Sequence, residues 1–430
     1  MSWMLALMGT VMIVLLFLGF PMMIPLLTAA LVIMHFYFPA FNPTVLIQQM
    51  IAGILPASLI AVPMFILAAD IMSAGEMSNR LVDFVKVFVG HVKGGMAITT
   101  AAACTFFGAI SGSTQATVVA IGGTMRPYLL RDGYDDSFTT ALIINSSDIA
   151  LLIPPSIGMI VYGVVSGTSI GELFIAGIGP GLLILFMFAV YSYIYARMKG
   201  IPTHEKASWS KRWKVTKRAL VAFGFPAIII GGIYSGFFSP TEAAAASVFY
   251  AGVIEIFVYR NLKITDLKEI ALSTGLVTGV VFILVGSGVA FSWLISLARI
   301  PNQILPGIIG TNPTQVWVLF VIAVAFFIGC MFVDPIVVIM ILTPIFKPVV
   351  TTLGIDPVLV GTLVTLQAAI GSATPPFGCD IFTAIAVFKR PYFQVIKKTP
   401  VFIAMLLVVS ALLIFFPDVA LFLRDLAYGY

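Results

Sequence analysis

Charge is scarce in this sequence. Only 10% of its 430 residues are Asp, Glu, Lys or Arg, while 60% are hydrophobic. A soluble domain carries about 25% charged residues, so this chain cannot cover a water-facing surface. That excludes a soluble enzyme and a nucleic-acid binder, and makes lipid the main solvent. Cysteine is nearly absent. Cys104, Cys330 and Cys379 are scattered through apolar stretches, which argues against a disulfide framework. Histidine is as sparse, and His35, His91 and His204 are too dispersed to build a transition-metal site. A basic leader is missing too. The first apolar stretch runs on to about residue 38, so it is expected to be membrane structure and not a cleaved signal.

Long apolar runs take the place of charge. They give expected spans at about 3–18, 22–38, 58–75, 137–166, 172–196, 217–236, 241–259, 272–297, 358–388 and 399–424. Run 42–57 mixes Asn42, Pro43, Gln48 and Gln49 with Leu and Ile, and reads as an interfacial helix. Gly19-Phe20-Pro21 and Gly236 to Pro240 suit tight turns between spans.

The few basic residues set the orientation. Fifteen of the 23 Lys and Arg lie in three loops, 197–218, 260–268 and 389–398, which should all be cytoplasmic. The net charge of +5 therefore needs no acidic partner. Loops 260–268 and 389–398 share a side, so an even number of crossings separates them. Run 314–349 must then return to the side it entered and reads as a re-entrant hairpin. Run 94–128, flanked by Lys86, Lys93, Arg126 and Arg131, reads as a second hairpin opening from the other face. Both chain termini are expected on the periplasmic side.

Sliding the chain on itself by 221 residues exposes a repeat. Phe106 falls on Phe327, Gly108 on Gly329, Arg126-Pro127 on Lys347-Pro348, and Pro154-Pro155 on Pro375-Pro376. Each half then holds five spans and one hairpin. Five is odd, so the halves should lie in the membrane in opposite senses, the plan of secondary transporters. The expected fold is an all-α polytopic membrane protein of two inverted-topology repeats, with about ten spans and two re-entrant helical hairpins. Residues 1–196 form the first repeat (hairpin 94–128, broken span 137–166). Residues 197–216 are a basic cytoplasmic linker, and 217–430 form the second repeat (hairpin 314–349, broken span 358–388).

The polar residues inside these runs are the candidate site. The first hairpin turns at Gly108 to Gln115, where Ser111, Gly112 and Ser113 stand between two apolar arms. A helix starting there offers free N–H groups to a carboxylate, and the arm before it ends in free carbonyls that suit Na⁺. The same hydroxyls also suit plain capping. The first broken span carries Asn145, Ser146, Ser147 and Asp148, which are expensive in lipid unless they face a cavity. Asp148 reads as a Na⁺ ligand, as a proton-carrying coupling acid, or as a residue that only hydrogen-bonds. At the second hairpin's tip, Asp334 precedes Pro335 and reads as a helix cap or a cation ligand. Gly371 to Asp380 suits cation coordination, mostly through main chain and Thr374. Arg126 and Lys347, aligned at the non-tip ends of the hairpins, read as snorkelling to the interface.

The motifs also match a known family. Phe106-Phe107-Gly108-Ala109-Ile110-Ser111-Gly112-Ser113, Leu152-Ile153-Pro154-Pro155-Ser156-Ile157 and Ser169-Ile170-Gly171-Glu172-Leu173-Phe174 carry the resemblance. Ser239-Pro240-Thr241-Glu242-Ala243-Ala244-Ala245 and Thr374-Pro375-Pro376 extend it over nearly the whole chain. The chain resembles the large membrane (M) subunit of tripartite ATP-independent periplasmic (TRAP) transporters of the DctM kind. The resemblance implies a secondary active importer of an organic acid across the bacterial inner membrane, not an enzyme. It is driven by a Na⁺ gradient and needs no cofactor. It works as an elevator, with a transport domain moving against a scaffold. A periplasmic substrate-binding (P) protein delivers the acid, and a small membrane (Q) subunit, expected on a separate chain, packs alongside.

The family's Na⁺ sites would fall on Ser111, Gly112, Ser113 and Asp334 at the tips, and on Asn145, Ser146, Ser147, Thr374, Pro375 and Gly378 in the broken spans. Ser113, Thr114, Ser156 and Asp380 are the expected substrate contacts. Gln115 and Cys379-Asp380 depart from the family pattern beside that cavity. Cys379-Asp380 stands where an apolar residue and Asn are usual, so these positions bear on which acid is carried. A proton- or Na⁺-coupled carboxylate carrier of a related inverted-hairpin family, acting without a binding protein, is the alternative.

Overall fold

The structure, a computed structural model, describes residues 2–310 and 312–429. Among the described residues the regular elements are all helical, as a backbone in lipid requires if its N–H and C=O groups are to be paired internally. Seven helices are long and apolar enough to cross a membrane. An eighth counts if Thr399–Phe415 and Asp418–Tyr428, bent by 59°, form one span. Two of the seven, Gln315–Phe332 and Pro335–Thr352, are the arms of run 314–349, and four of the ten expected spans are missing from the count for a physical reason. Runs 137–166 and 358–388 are each split into two short helices, Asp136–Ser147 with Ile157–Ser166 and Pro357–Ser372 with Cys379–Phe388. The first two runs form helices of only 16 and 15 residues, Ser2–Phe17 and Met23–Tyr37.

The helix bounds recur at the 221-residue offset. The arms of the first hairpin, Gly95–Ser111 and Thr114–Arg131, fall on Gln315–Phe332 and Pro335–Thr352. The halves of the two broken spans correspond in the same way. Two helices that long apolar runs do not reveal also correspond. Met77–Val89 and Ile300–Ile309 each run into a hairpin and are amphipathic. Run 42–57 belongs to this pattern as well. It forms helix Thr44–Ile54, which packs on Asp266–Leu297 so closely that a Cβ on Gly53 would lie 2.7 Å from Val289. At the offset, Thr44–Ile54 and Ala61–Ala74 together match the one long helix Asp266–Leu297. The first half is interrupted at Pro56, whose ring cannot continue the helix.

The broken spans form the centre of the molecule. Every residue from 138 to 163 and from 358 to 374 is buried. Each hairpin lies against the broken span of its own half at near-backbone distance. A Cβ on Gly108 would meet Ala150 Cα at 2.6 Å, and one on Gly371 would meet Cys330 Cβ at 2.4 Å. The glycine that permits this approach sits on the hairpin in one half and on the broken span in the other.

Two charged clusters tie the periphery to this centre. Arg126 does not snorkel freely. Its guanidinium bonds Asp136 at 2.7 and 2.9 Å, and Arg390 takes the other carboxylate oxygen at 2.8 Å. That ties the first hairpin to both broken spans. Glu255, fully buried, accepts hydrogen bonds from the backbone N–H groups of Glu76 and Met77 at 2.8–3.0 Å and so caps helix Met77–Val89. Glu255→Ala leaves those donors unpaired in a buried place. It should lower the unfolding free energy by about 1–3 kcal/mol, read as a lower midpoint in detergent thermal melts. An unchanged midpoint would remove the cap from the fold's support.

Candidate functional site

Four helix N-termini meet at one small cleft. Thr114–Arg131 and Pro335–Thr352 begin at the two hairpin tips, and Ile157–Ser166 and Cys379–Phe388 begin at the two chain breaks. Gly112, Ser113, Thr114, Gly158, Asp334 and Cys379 are among the residues lining a space of about 60 Å³ between them. Each helix start carries unpaired N–H groups and the positive end of the peptide dipoles. Four such ends aimed at one place favour an anion there.

Local sequence explains how each start is held. Gly112 ends the first arm in the left-handed region (φ +60°), and Ser113 caps the next helix through Ala116 N–H at 3.4 Å. Ser111 Oγ lies 3.2 Å from Thr117 Oγ1, and Thr117 in turn donates to Ser113 O at 2.8 Å. Thr117 is thus part of the tip, although nothing in the sequence signals it beyond a hydroxyl one turn past Ser113. Ser156 caps its helix through Met159 N–H at 3.2 Å, so its hydroxyl is already engaged. Asp334 likewise accepts from Ile336 N–H at 2.9 Å, which bears out its geometry as a cap. The peptide bonds Pro154-Pro155 and Pro375-Pro376 are both cis.

Behind the cleft lies a buried acid pair. Thr114 Oγ1 donates to Asp380 Oδ1 at 2.8 Å, joining the first hairpin to the second broken span. Asp380 and Asp148 interact at close range, and both are at most 1% exposed. Among the described residues no donor reaches either oxygen of Asp148 or Oδ2 of Asp380. Asn145 Oδ1 and Ser146 Oγ are also buried and unpaired. Two carboxylates that face each other repel, and either one shared proton or a cation held there relieves the repulsion. Unpaired oxygens of this kind are the hard ligands that a group 1 or 2 cation takes.

The expected site residues therefore divide. Gly112, Ser113, Thr114 and Asp334 converge at the cleft, and Asp380 and Asp148 stand behind it. Asn145, Ser146, Ser147, Ser156, Thr374 and Pro375 do not line it. Ser147 donates to Ile143 O at 2.8 Å and Thr374 to Ile370 O at 2.6 Å, both within their own helices or just past the end. Gly378 sits where backbone carbonyls crowd: an added Cβ would lie 2.3 Å from Ser372 O and 2.8 Å from Thr374 O. The arrangement sets four helix ends and the Asp334 carboxylate around the cleft with two acids behind it, groups that can hold an anion and a cation side by side.

Known proteins have similar sequences over nearly the whole chain. The profile of the family described as "Tripartite ATP-independent periplasmic transporter, DctM component" matches residues 10–419. The Ectoine/5-hydroxyectoine TRAP transporter large permease protein UehC of Ruegeria pomeroyi is 64% identical over 419 residues, 97% of this chain and 98% of its own. The Ectoine TRAP transporter large permease protein TeaC of Halomonas elongata is 65% identical over 420 residues, with the same coverage. The C4-dicarboxylate TRAP transporter large permease protein DctM of Pseudomonas aeruginosa is 36% identical over 371 residues, 86% of each chain. Among solved structures, the YdaH transporter of Alcanivorax borkumensis shares the fold at TM-score 0.58 with 16% identity, covering 87% of each chain.

Proposed function

This chain belongs to the DctM family of TRAP transporter large permeases, a membrane transporter subunit and not an enzyme, and from that premise we propose that it imports an ectoine-type solute with Na⁺. Ectoine is a six-membered ring carrying one carboxylate and one amidinium cation. The observation that carries the reading is the pairing of four helix N-termini with the Asp148–Asp380 floor at one cleft. The space as it stands, about 60 Å³, is smaller than the solute's ring, so the hairpin tips part to admit it, its carboxylate then meeting the helix ends and its amidinium Asp380. The names of the two relatives near 65% identity support the same choice. The sequence reading of an organic acid is thereby narrowed to a zwitterionic one.

Na⁺ is the second cargo. Buried, unpaired oxygens at Asn145, Ser146 and Asp148, with the tip residues Ser111, Gly112 and Ser113, fit a hard cation. A second ion would use Asp334, Thr374, Pro375 and Gly378. Na⁺ bound at a tip orders the helix start that receives the carboxylate, so each ligand tightens the other. The two hairpins and broken spans move together as the transport unit. The remaining helices form the scaffold of two inverted halves, residues 1–196 and 217–430, joined by the basic linker 197–216. A small membrane subunit and a periplasmic binding protein complete the importer in the inner membrane, with both termini of this chain periplasmic.

The test is ectoine uptake by proteoliposomes holding the complete complex and its binding protein. Replacing the Na⁺ gradient by K⁺ should reduce uptake to the level of empty vesicles. Uptake that persists in K⁺ would sink the coupling, and uptake equally fast without binding protein would favour the self-sufficient carrier. Ser113→Ala removes the cap at the tip, worth about 1 kcal/mol. It should raise the Na⁺ concentration for half-maximal uptake about fivefold. An unaltered Na⁺ dependence would take Ser113 out of the site.

A further inference from the structure

The 221-residue correspondence can be followed residue by residue at the open ends of the two hairpins. In the first half Arg126 is covered on two sides. Asp136 holds its guanidinium, and the Phe388 ring lies 5.3 Å from it, a cation–π distance. The same ring fills the space over Gly122, where an added Cβ would meet Phe388 at 2.6 Å. The counterparts around the second hairpin are Lys347 for Arg126, Pro357 for Asp136, Thr343 for Gly122 and, contributed by the first repeat, Gly167 for Phe388. The cation is kept, whereas its carboxylate and its ring are both gone.

A cavity of about 170 Å³ stands in their place, lined by Lys347, Pro357, Thr343 and Gly167. Among the described residues no carboxylate lies within ion-pair distance of the Lys347 ammonium. Asp356, next to Pro357, is already held by Arg424 at 2.8 Å and caps Val358 N–H at 2.7 Å. Thr343, only 5% exposed, lines this space, and its hydroxyl is buried without a partner. Phe326 and Phe346 supply apolar wall. An engineered apolar cavity of about 150 Å³ holds one benzene, so the space suits a single small ring.

We propose that this cavity binds a small ring-bearing carboxylate, its carboxylate on Lys347 and its ring where Phe388 sits at the other hairpin. The site is separate from the cleft at the hairpin tips. The class includes ectoine-type solutes, yet the inference stands on the comparison of the two halves and not on the transported substrate.

The test is ¹⁹F NMR of 4-fluorobenzoate titrated into the complete complex in phosphatidylcholine nanodiscs. Saturable broadening of the probe signal is expected, competed by acetate. Lys347→Met should weaken it by about tenfold or more, and Lys347→Arg should retain it. Pro357→Asp restores the carboxylate that the first half has, and should weaken the probe by a similar factor with the lysine still present. If Lys347→Met fails to assemble, Pro357→Asp and Thr343→Val carry the comparison. Absence of saturable binding, or binding indifferent to these variants, overturns the proposal. So does a signal removed by Asp380→Asn, which would place the probe at the tips. Displacement by anionic phospholipid and not by acetate would assign the space to a lipid headgroup and overturn it too.

Discussion

Asp380→Asn should lower ectoine uptake between about 10- and 150-fold. A hydrogen bond to a charged group contributes about 1.5–3 kcal/mol, and each 1.36 kcal/mol is tenfold. The substitution keeps the shape and can still accept from Thr114, which now bonds Asp380 Oδ1 at 2.8 Å. What it removes is the negative charge of Asp380 behind the cleft. The loss should therefore depend on the solute's cation. Binding of a plain dicarboxylate, which has no amidinium, should be spared or improved. The measurement is initial uptake of ectoine against succinate at saturating Na⁺ in proteoliposomes. Equal losses for both solutes would reduce Asp380 to a structural role, and an unchanged ectoine rate would remove it from the site.

Gly112→Ala should reduce uptake roughly 100-fold or more while leaving the complex assembled. Left-handed backbone costs an Ala about 1–2 kcal/mol, and Gly112 has φ +60°. The added Cβ would also lie 2.5 Å from Pro155 O, a backbone atom that cannot swing aside. The tip must withdraw from the first broken span, which breaks the contact from Ile157 N–H to Gly112 O at 3.4 Å. Gly123→Ala is the control, because nothing lies within 4 Å of its added Cβ. Parent-like transport by Gly112→Ala would show that the tip is not docked as described.

Much of this architecture was legible in the sequence because two signals are strong in lipid. Basic residues mark one side of the membrane, and Pro or Gly inside an apolar run marks a break. The helix breaks after Ser111, Ser147, Phe332 and Ser372 fall where those signals put the hairpin tips and the broken spans. Run 42–57 is a helix as expected, Thr44–Ile54, but its packing on Asp266–Leu297 gave no sign in the sequence, because that partner lies far along the chain. Met77–Val89 escaped because its apolar residues form a stripe and not a run. Arg126 looked like an interfacial cation because Arg390, which shares Asp136 with it, belongs to the other half.

The candidate site was legible as a set of residues but not as an arrangement. Ser113, Thr114, Asp334 and Asp380 each announce themselves as polar groups in apolar surroundings. That Thr114 would bond Asp380, 266 positions away, follows only from the fold. The convergence of four helix starts is equally invisible, since each belongs to a different motif. Glu255 gave no signal beyond being an acid in an apolar run, and its work is to hold another helix's first turn.

The unequal ends of the hairpins have a consequence for the resting state. In the alternating-access cycle proposed for this chain, exchanging the roles of two equivalent halves would turn the outward-open form into the inward-open one. Strict equivalence would leave those forms degenerate, each occupied half of the time. Arg126 is locked by Asp136, Arg390 and Phe388, whereas Lys347 faces open space beside Gly167. In that proposed cycle the mismatch would lift the degeneracy and give the empty carrier a preferred side on which to wait.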